Sequence, residues 1–309
     1  SAQQIKKVAG ILKAEPSRKI VVVSAPGKRF ENDVKVTDML IRLSQASLRG
    51  EEIENNLSEV IDRYAQIASG LDLGQEIIDI IEMDLRDRLA SDKSNPGLFF
   101  DQLKASGEDN LAKIVAVYLT SIGLHAEYIN PKDAGLLVND FPQRVQALPE
   151  SYNRLAALKE KATITVFPGF FGYTSKGELR TFERGGSDIT GSILAAAVKA
   201  ELYENFTDVD CVFAANPRIV DNPEEIHKMT YREMRELSYA GFAVLHDEAL
   251  MPAFKESVPV CIKNTNNPLA PGTMIVAKRE HSFRPVTGIS ADSGFSTLFV
   301  SKYLMNREI

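Results

Sequence analysis

Short apolar runs of strand length alternate along this chain with helix-length amphipathic stretches, and that alternation sharply limits the folds open to it. Ile20–Val23 is four apolar residues in a row, the mark of a strand covered on both faces, and it empties into the loop Ser24-Ala25-Pro26-Gly27-Lys28. A helix is expected from Thr37, whose hydroxyl could cap it, with Met39, Leu40 and Leu43 on its apolar face. Residues 51–89 place Ile53, Leu57, Val60, Ile61 and Tyr64, then Ile77, Ile78, Ile81 and Leu85, at helical spacing, with a break at Gly70 to Gly74. This predicts a helical hairpin over about 51–90, laid over the sheet or serving as a dimerisation arm. Residues 110–121 read as another amphipathic helix, 124–129 and 136–138 as short strands, and 164–167 as a stronger one. Strands alternating with helices imply an α/β fold with a largely parallel sheet covered on both faces, whose ligands belong at the carboxyl ends of the strands.

Composition removes several alternatives. The 309 residues suffice for about two domains, and 25% charged with 44% hydrophobic residues excludes wholesale disorder. No window holds the roughly 18 uninterrupted apolar residues of a membrane span. The 42 acidic against 36 basic side chains give a net charge of -6, which disfavours nucleic acid as a partner. Two cysteines, Cys211 and Cys261, and four histidines make neither a disulfide framework nor a Cys/His metal cluster. No signal peptide opens the chain, and a cytoplasmic location is expected. Residues 1–13 read as a helix already in progress, 296–300 as a strand and 302–308 as the start of a helix in a second domain.

The densest chemical signal is the run from Thr181 to Thr190, which reads Thr-Phe-Glu-Arg-Gly-Gly-Ser-Asp-Ile-Thr. Its glycine pair sits where a helix opens. Adjacent glycines let backbone N–H groups approach an anion, Ser187 or Asp188 could cap the helix, and Arg184 offers a fork for a carboxylate or phosphate. The same residues also read as a glycine turn with an N-cap. A second cluster, Thr207-Asp208-Val209-Asp210-Cys211-Val212-Phe213 followed by Asn216-Pro217-Arg218, is expected where a helix ending near 204–206 crosses into a strand. Asp208 and Asp210 are hard oxygen ligands suited to Mg²⁺ and Arg218 could neutralise a polyphosphate, although both stretches read equally as surface turns. Ser106-Gly107-Glu108 precedes the 110–121 helix, so Glu108 could hold an ammonium group or simply interact with the helix dipole. His246 reads as packing or capping, and Lys263-Asn264-Thr265-Asn266-Asn267 as a polar loop after a strand over 258–262. No P-loop and no Gly-x-Gly-x-x-Gly fingerprint is present.

Taken together, Ser24-Ala25 with Thr37-Asp38, Gly107-Glu108, Gly169-Phe170, Arg184-Gly185-Gly186-Ser187-Asp188, Thr207-Asp208-Val209-Asp210, Asn216-Pro217-Arg218, Val244-Leu245-His246 and Pro271-Gly272-Thr273 resemble, in order and spacing, the aspartate kinases of the amino-acid kinase family. The resemblance implies a three-layer αβα sandwich with a mostly parallel central sheet over residues 1–280, lacking the family's N-terminal lysine-glycine strand. It also implies the start of a truncated ACT regulatory region at 285–309. The activity it implies is transfer of the γ-phosphoryl group of ATP to the β-carboxylate of L-aspartate, giving 4-phospho-L-aspartate, the first step towards lysine, threonine and methionine.

Carried over residue by residue, Arg184 would hold the substrate α-carboxylate and Glu108 its amino group, with Thr37, Phe170 and Ser187 lining the pocket. Asp188 would organise the catalytic groups, with Mg²⁺ near it. Thr207, Asp208, Phe213 and Arg218 would contact ATP. Ala243 stands where the family has lysine, and Arg218 or Lys263 is the candidate replacement cation. The resemblance further implies a homodimer, an amino-acid effector in the intact protein, and inactive or impaired transfer in these 309 residues alone. Two other readings stay open at this point: a non-catalytic regulatory or scaffold subunit, and a sister kinase of another amino-acid or carbamoyl acceptor.

Overall fold

The computed structural model describes residues 1–141, 144–183, 185–217, 219–239, 247–280 and 286–290. Its elements run α1 (Ala2–Ala14), β1 (Ile20–Val23), α2 (Val36–Leu48), α3 (Glu54–Gly70), α4 (Glu76–Leu89), α5 (Pro96–Ser121), β2 (Ala126–Tyr128), α6 (Pro131–Ala134) and α7 (Pro149–Leu155). Then come β3 (Ile164–Pro168), β4 (Phe171–Tyr173), β5 (Leu179–Thr181), α8 (Gly186–Val198), β6 (Tyr203–Thr207), β7 (Val212–Phe213), β8 (Glu225–Ile226), β9 (Lys228–Thr230), α9 (Tyr231–Tyr239), α10 (Met251–Lys255), β10 (Val260–Asn264) and β11 (Thr273–Val276).

Strand order β1-β3-β2 makes a wholly parallel sheet, with Val21 opposite Val166 and Val22 opposite Phe167. Because side chains alternate across a strand, its two faces enter different cores. Val21, Val23 and Val166 pack with Leu40, Leu43, Tyr64, Leu103 and Ile114 of α2, α3 and α5. Ile20, Val22 and Phe167 pack with Leu155, Ile193 and Leu194 of α7 and α8. Helices therefore cover both faces, which is the expected three-layer arrangement. A second sheet, in the order β6-β10-β11-β9, pairs β6 with β10 and β11 with β9 in parallel, and β10 with β11 antiparallel. Its core unites Val260, Ile262 and Ile275 with Met234 of α9, Ala253 of α10 and Ala195 of α8. Arg18, two residues before β1, donates to both carboxylate oxygens of Glu204 in β6 at 2.5 and 2.9 Å, tying the edge of one sheet to the edge of the other.

Several local expectations are corrected. Thr37 does not cap α2: the helix starts at Val36, whose N–H donates to the Pro26 carbonyl at 3.1 Å, so the loop supplies the acceptor that a hydroxyl would have offered. The 110–121 helix is α5, which begins at Pro96 with Asn95 Oδ1 accepting the Leu98 N–H at 3.2 Å. Glu108 thus lies inside this helix, not at its start. Residues 136–138 make isolated bridges only. Residues 204–206 belong to a strand, β6, and Lys263 and Asn264 to the end of β10. The 51–90 hairpin forms as α3 and α4 and packs against α2 and α5 within the chain. The region expected to open an ACT domain at 285–309 lies outside the described residues, apart from 286–290.

Candidate active site

The carboxyl ends of β1 and β3 stand side by side, Val23 opposite Pro168, with the Gly169 N–H donating to the Val23 carbonyl at 3.0 Å. Both chains then turn away, leaving a crevice at the place where parallel sheets hold ligands. α5 crosses one wall closely enough that a Cβ on Gly107 would lie 2.9 Å from Ala25 Cβ and 3.4 Å from Leu40 Cδ1. Only glycine allows that approach.

The next residue is Glu108, 6% exposed. Among the described residues, Oε2 of Glu108 is the only buried carboxylate oxygen without a hydrogen-bond partner. Burial pushes its carboxyl up to about 7, and the backbone N–H groups of Ala25 and of Glu108 itself limit the rise. A buried acid left half satisfied is costly to keep, and its missing partner is a positively charged donor. Thr37 stands one helical turn before Leu40 on α2, on the face that meets Gly107, and is half-buried.

α8 forms the opposite wall. Its cap position is Gly185, at φ 76°, so Ser187 and Asp188 sit inside the first turn and do not cap it. A Cβ on Gly169 would lie 2.7 Å from Ser187 Oγ, which fixes the start of α8 against the end of β3. Phe170 has φ 79°, a left-handed conformation that is strained for an aromatic residue. Its N–H donates to Thr190 Oγ1 at 3.0 Å, and its carbonyl accepts the Phe182 N–H at 2.7 Å, so two contacts hold the strain in place. Lys104, one turn before Glu108 on α5, reaches Thr181 Oγ1 at 3.1 Å and Asp101 Oδ1 at 3.0 Å, with Nζ 5.9 Å from the Phe170 ring.

Asp188 joins this crevice to the second sheet. Its Oδ1 accepts from Asn205 Nδ2 at 2.8 Å, and Asn205 Nδ2 also donates to the Tyr203 hydroxyl at 3.1 Å. Tyr203 packs under Gly191, where a Cβ would lie 2.6 Å from its hydroxyl oxygen. Two residues beyond Asn205, and on the same strand face, Thr207 ends β6. Its Oγ1 accepts the Val209 N–H at 3.1 Å, and its carbonyl accepts the Thr265 N–H at 2.9 Å. Asp208 is exposed, while Asp210 accepts from Asn264 Nδ2 at 2.8 Å. Phe213 is half-buried on β7. Lys263 pairs in register with Phe206, so it projects from the face of the sheet opposite Thr207. Among the described residues no three His, Cys, Asp or Glu side chains gather as a metal cage. Magnesium that arrives with a nucleotide needs only one or two carboxylates beside the phosphates, and Asp188 and Asp208 are of that kind.

Residues 1–264 match the model of the amino acid kinase family. The chain is 55% identical over 309 residues to aspartokinase 3 of Bacillus subtilis (strain 168), covering all of this chain and 68% of that protein. The chain belongs to the aspartokinases of the amino acid kinase family. Among solved structures, the aspartate kinase of Clostridium acetobutylicum superposes with a TM-score of 0.82 at 35% identity, over 94% of this chain and 64% of that one. An E. coli aspartokinase III in complex with aspartate and ADP shares the fold, with a TM-score of 0.74 at 24% identity, over 89% of this chain and 62% of that one. The chain thus spans about two thirds of these relatives.

Within this aspartokinase fold, Thr37, Glu108, Phe170 and Ser187 gather around the ends of β1 and β3. Asp188, Thr207 and Asp208 follow the path from α8 to the end of β6. Arg184, Arg218, Ala243 and His246 lie outside the described residues. Sequence reasoning did not single out Asn205 or Lys104, which the structure places beside these residues. Asn205 was signalled by a lone amide inside the strand Tyr203–Thr207, and Lys104 by its place four residues before Glu108 on one helix face.

Proposed function

We propose that this chain carries the catalytic unit of an aspartate kinase, which transfers the γ-phosphoryl group of ATP to the β-carboxylate of L-aspartate. The observation that carries the reading is Glu108 Oε2: among the described residues a buried carboxylate oxygen with no hydrogen-bond partner, beside the joined ends of β1 and β3, in a crevice whose other wall is the helix that opens within the Arg-Gly-Gly-Ser-Asp run. An α-amino group supplies the absent donor, and Arg184 the fork for the α-carboxylate. Thr37, Ser187 and the backbone of Phe170 complete the pocket.

The attacking oxygen of the β-carboxylate is already ionised, so the reaction needs placement and charge stabilisation rather than a general base. The N-terminal turn of α8 brings the positive end of its dipole to the crevice. Asp188, held by Asn205, orders the polar groups between the two substrates. Thr207, Asp208, Phe213 and Arg218 form the ATP side, with Arg218 as its cation. Asp188 and Asp208 would hold Mg²⁺, which would supply neutralisation of phosphate charge. A homodimer and an amino-acid effector bound beyond residue 285 belong to the same reading on family grounds. The buried free thiols Cys211, raised to about 11, and Cys261 support a reducing, cytoplasmic setting.

A coupled ADP assay on the full-length protein tests this. ADP should form in proportion to added L-aspartate, and Glu108→Gln should raise KM for aspartate at least tenfold. ADP release unaffected by aspartate, or stimulated equally by carbamate or N-acetylglutamate, would reject the reading.

A further inference from the structure

The amino-acid pocket depends on two pieces of chain that no continuous element joins: the loop 24–35, which presents the Ala25 N–H, and the turn 106–108 of α5, which presents Glu108. Consecutive residues of α3 reach both. The Arg63 guanidinium, 5% exposed, donates to the Gly27 carbonyl at 2.7 Å and the Val34 carbonyl at 3.3 Å, and pairs with Asp33 Oδ2 at 2.8 Å. Tyr64, fully buried, donates its hydroxyl to the Gly107 carbonyl at 3.0 Å and lies 3.4 Å from the Ser106 carbonyl.

We propose that Arg63 and Tyr64 are positioning residues of the aspartate pocket: Arg63 fixes the loop that carries Ala25, Tyr64 fixes the turn that carries Glu108, and together they set the separation into which the substrate's ammonium group fits. The inference rests on the assignment of Glu108 to that ammonium group. The Tyr64 contact is not needed to close a backbone ledger, whereas among the described residues Arg63 is the only donor to the Gly27 and Val34 carbonyls. Helical N–H groups are available to the Gly107 and Ser106 carbonyls inside α5, and Asp33 already holds Arg29 through two further bonds of 2.9 Å. What the two side chains add is aim. At a site that must clasp both ends of a small zwitterion, a shift of a few tenths of an ångström in one carboxylate weakens binding of that substrate and leaves the nucleotide side untouched.

Steady-state kinetics of Tyr64→Phe in the full-length protein, which removes one oxygen and keeps the ring, should show KM for aspartate raised about three- to tenfold, with kcat and KM for ATP within about twofold. Arg63→Lys, which keeps the charge but loses the fork, should show the same split. The decisive comparison adds each change to Glu108→Gln. A residue acting through Glu108 has little left to spoil, so KM for aspartate in Tyr64→Phe/Glu108→Gln should equal that of Glu108→Gln alone. An unchanged KM for aspartate in Tyr64→Phe, a parallel loss in KM for ATP and kcat, or a full additive effect in the double variant would overturn the proposal while leaving the pocket assignment standing. A Glu108→Gln variant with normal KM for aspartate would overturn both.

Discussion

Asn205 holds a side chain of the candidate site through its amide. It is 7% exposed, and its amide nitrogen connects the Asp188 carboxylate to the Tyr203 hydroxyl. Replacing it by leucine, which has nearly the same shape, removes a hydrogen bond to a charged group worth about 1.5–3 kcal/mol. If Asp188 serves the chemical step, Asn205→Leu should lower kcat about ten- to a hundredfold and change KM for aspartate less than about threefold. Equal kcat in the two proteins would remove Asp188 from that step. At this scale the sequence was informative about residue type and less so about setting. The pairing of Gly107 with Glu108 was visible, yet the acid looked like a helix-start charge, because nothing local reveals that α2, α5 and the Ala25 loop exclude water from it. The left-handed backbone of Phe170 was not legible at all, since tertiary contacts from Thr190 and Phe182 impose it.

The elements explain why α5 has the composition it does. Over residues 105–112 it buries Ser106, Gly107, Glu108, Asp109 and Asn110 as well as apolar side chains, so its apolar period is broken and its first half is hard to recognise from pattern. Asp109 and Asn110 find partners on other elements, whereas the Ser106 hydroxyl donates to the Leu103 carbonyl within α5 and Glu108 keeps one oxygen unpaired among the described residues. Asp109 accepts from Arg88 at 2.7 Å and from the Tyr128 hydroxyl at 2.5 Å, and Asn110 donates to Asp84 at 3.0 Å. Gly107 is the sharpest test of this packing. As a helix interior residue it should be improved by alanine by about 1 kcal/mol, whereas a methyl 2.9 Å from Ala25 Cβ overpacks the contact at a cost of about 1–3 kcal/mol. Gly107→Ala should therefore lower the thermal denaturation midpoint and weaken aspartate binding; a raised midpoint would show that the loop yields freely. By contrast, the hairpin of α3 and α4 was readable, because its apolar residues keep a clean helical spacing and a glycine-bounded break.

At the scale of the molecule, the chain sets its two larger sheets edge to edge and lays α8 across both. The first turn of α8 faces the ends of β1 and β3, while its flank meets β6 through Asp188, Asn205 and Tyr203. One helix thus relates the proposed amino-acid side to the proposed nucleotide side, as a transfer between two small substrates requires. The alternation of strands and helices announced this architecture. The division into two sheets was not legible, because strand order is set by contacts distant in sequence such as Arg18 with Glu204. The same global packing gives Glu108 its dry surroundings, and with them the most direct test of the account. With its carboxyl raised to about 7, Glu108 is largely protonated below that value and offers no charge to an ammonium group. Aspartate itself changes protonation little between about pH 6 and about pH 8, so its affinity should strengthen as Glu108 ionises. Calorimetric titration of L-aspartate into the full-length protein should give a Kd about tenfold smaller at the higher pH, and Glu108→Gln should abolish the difference. A Kd that does not vary with pH in the unmodified protein, or that varies equally in Glu108→Gln, would contradict the claim that this buried carboxylate receives the substrate.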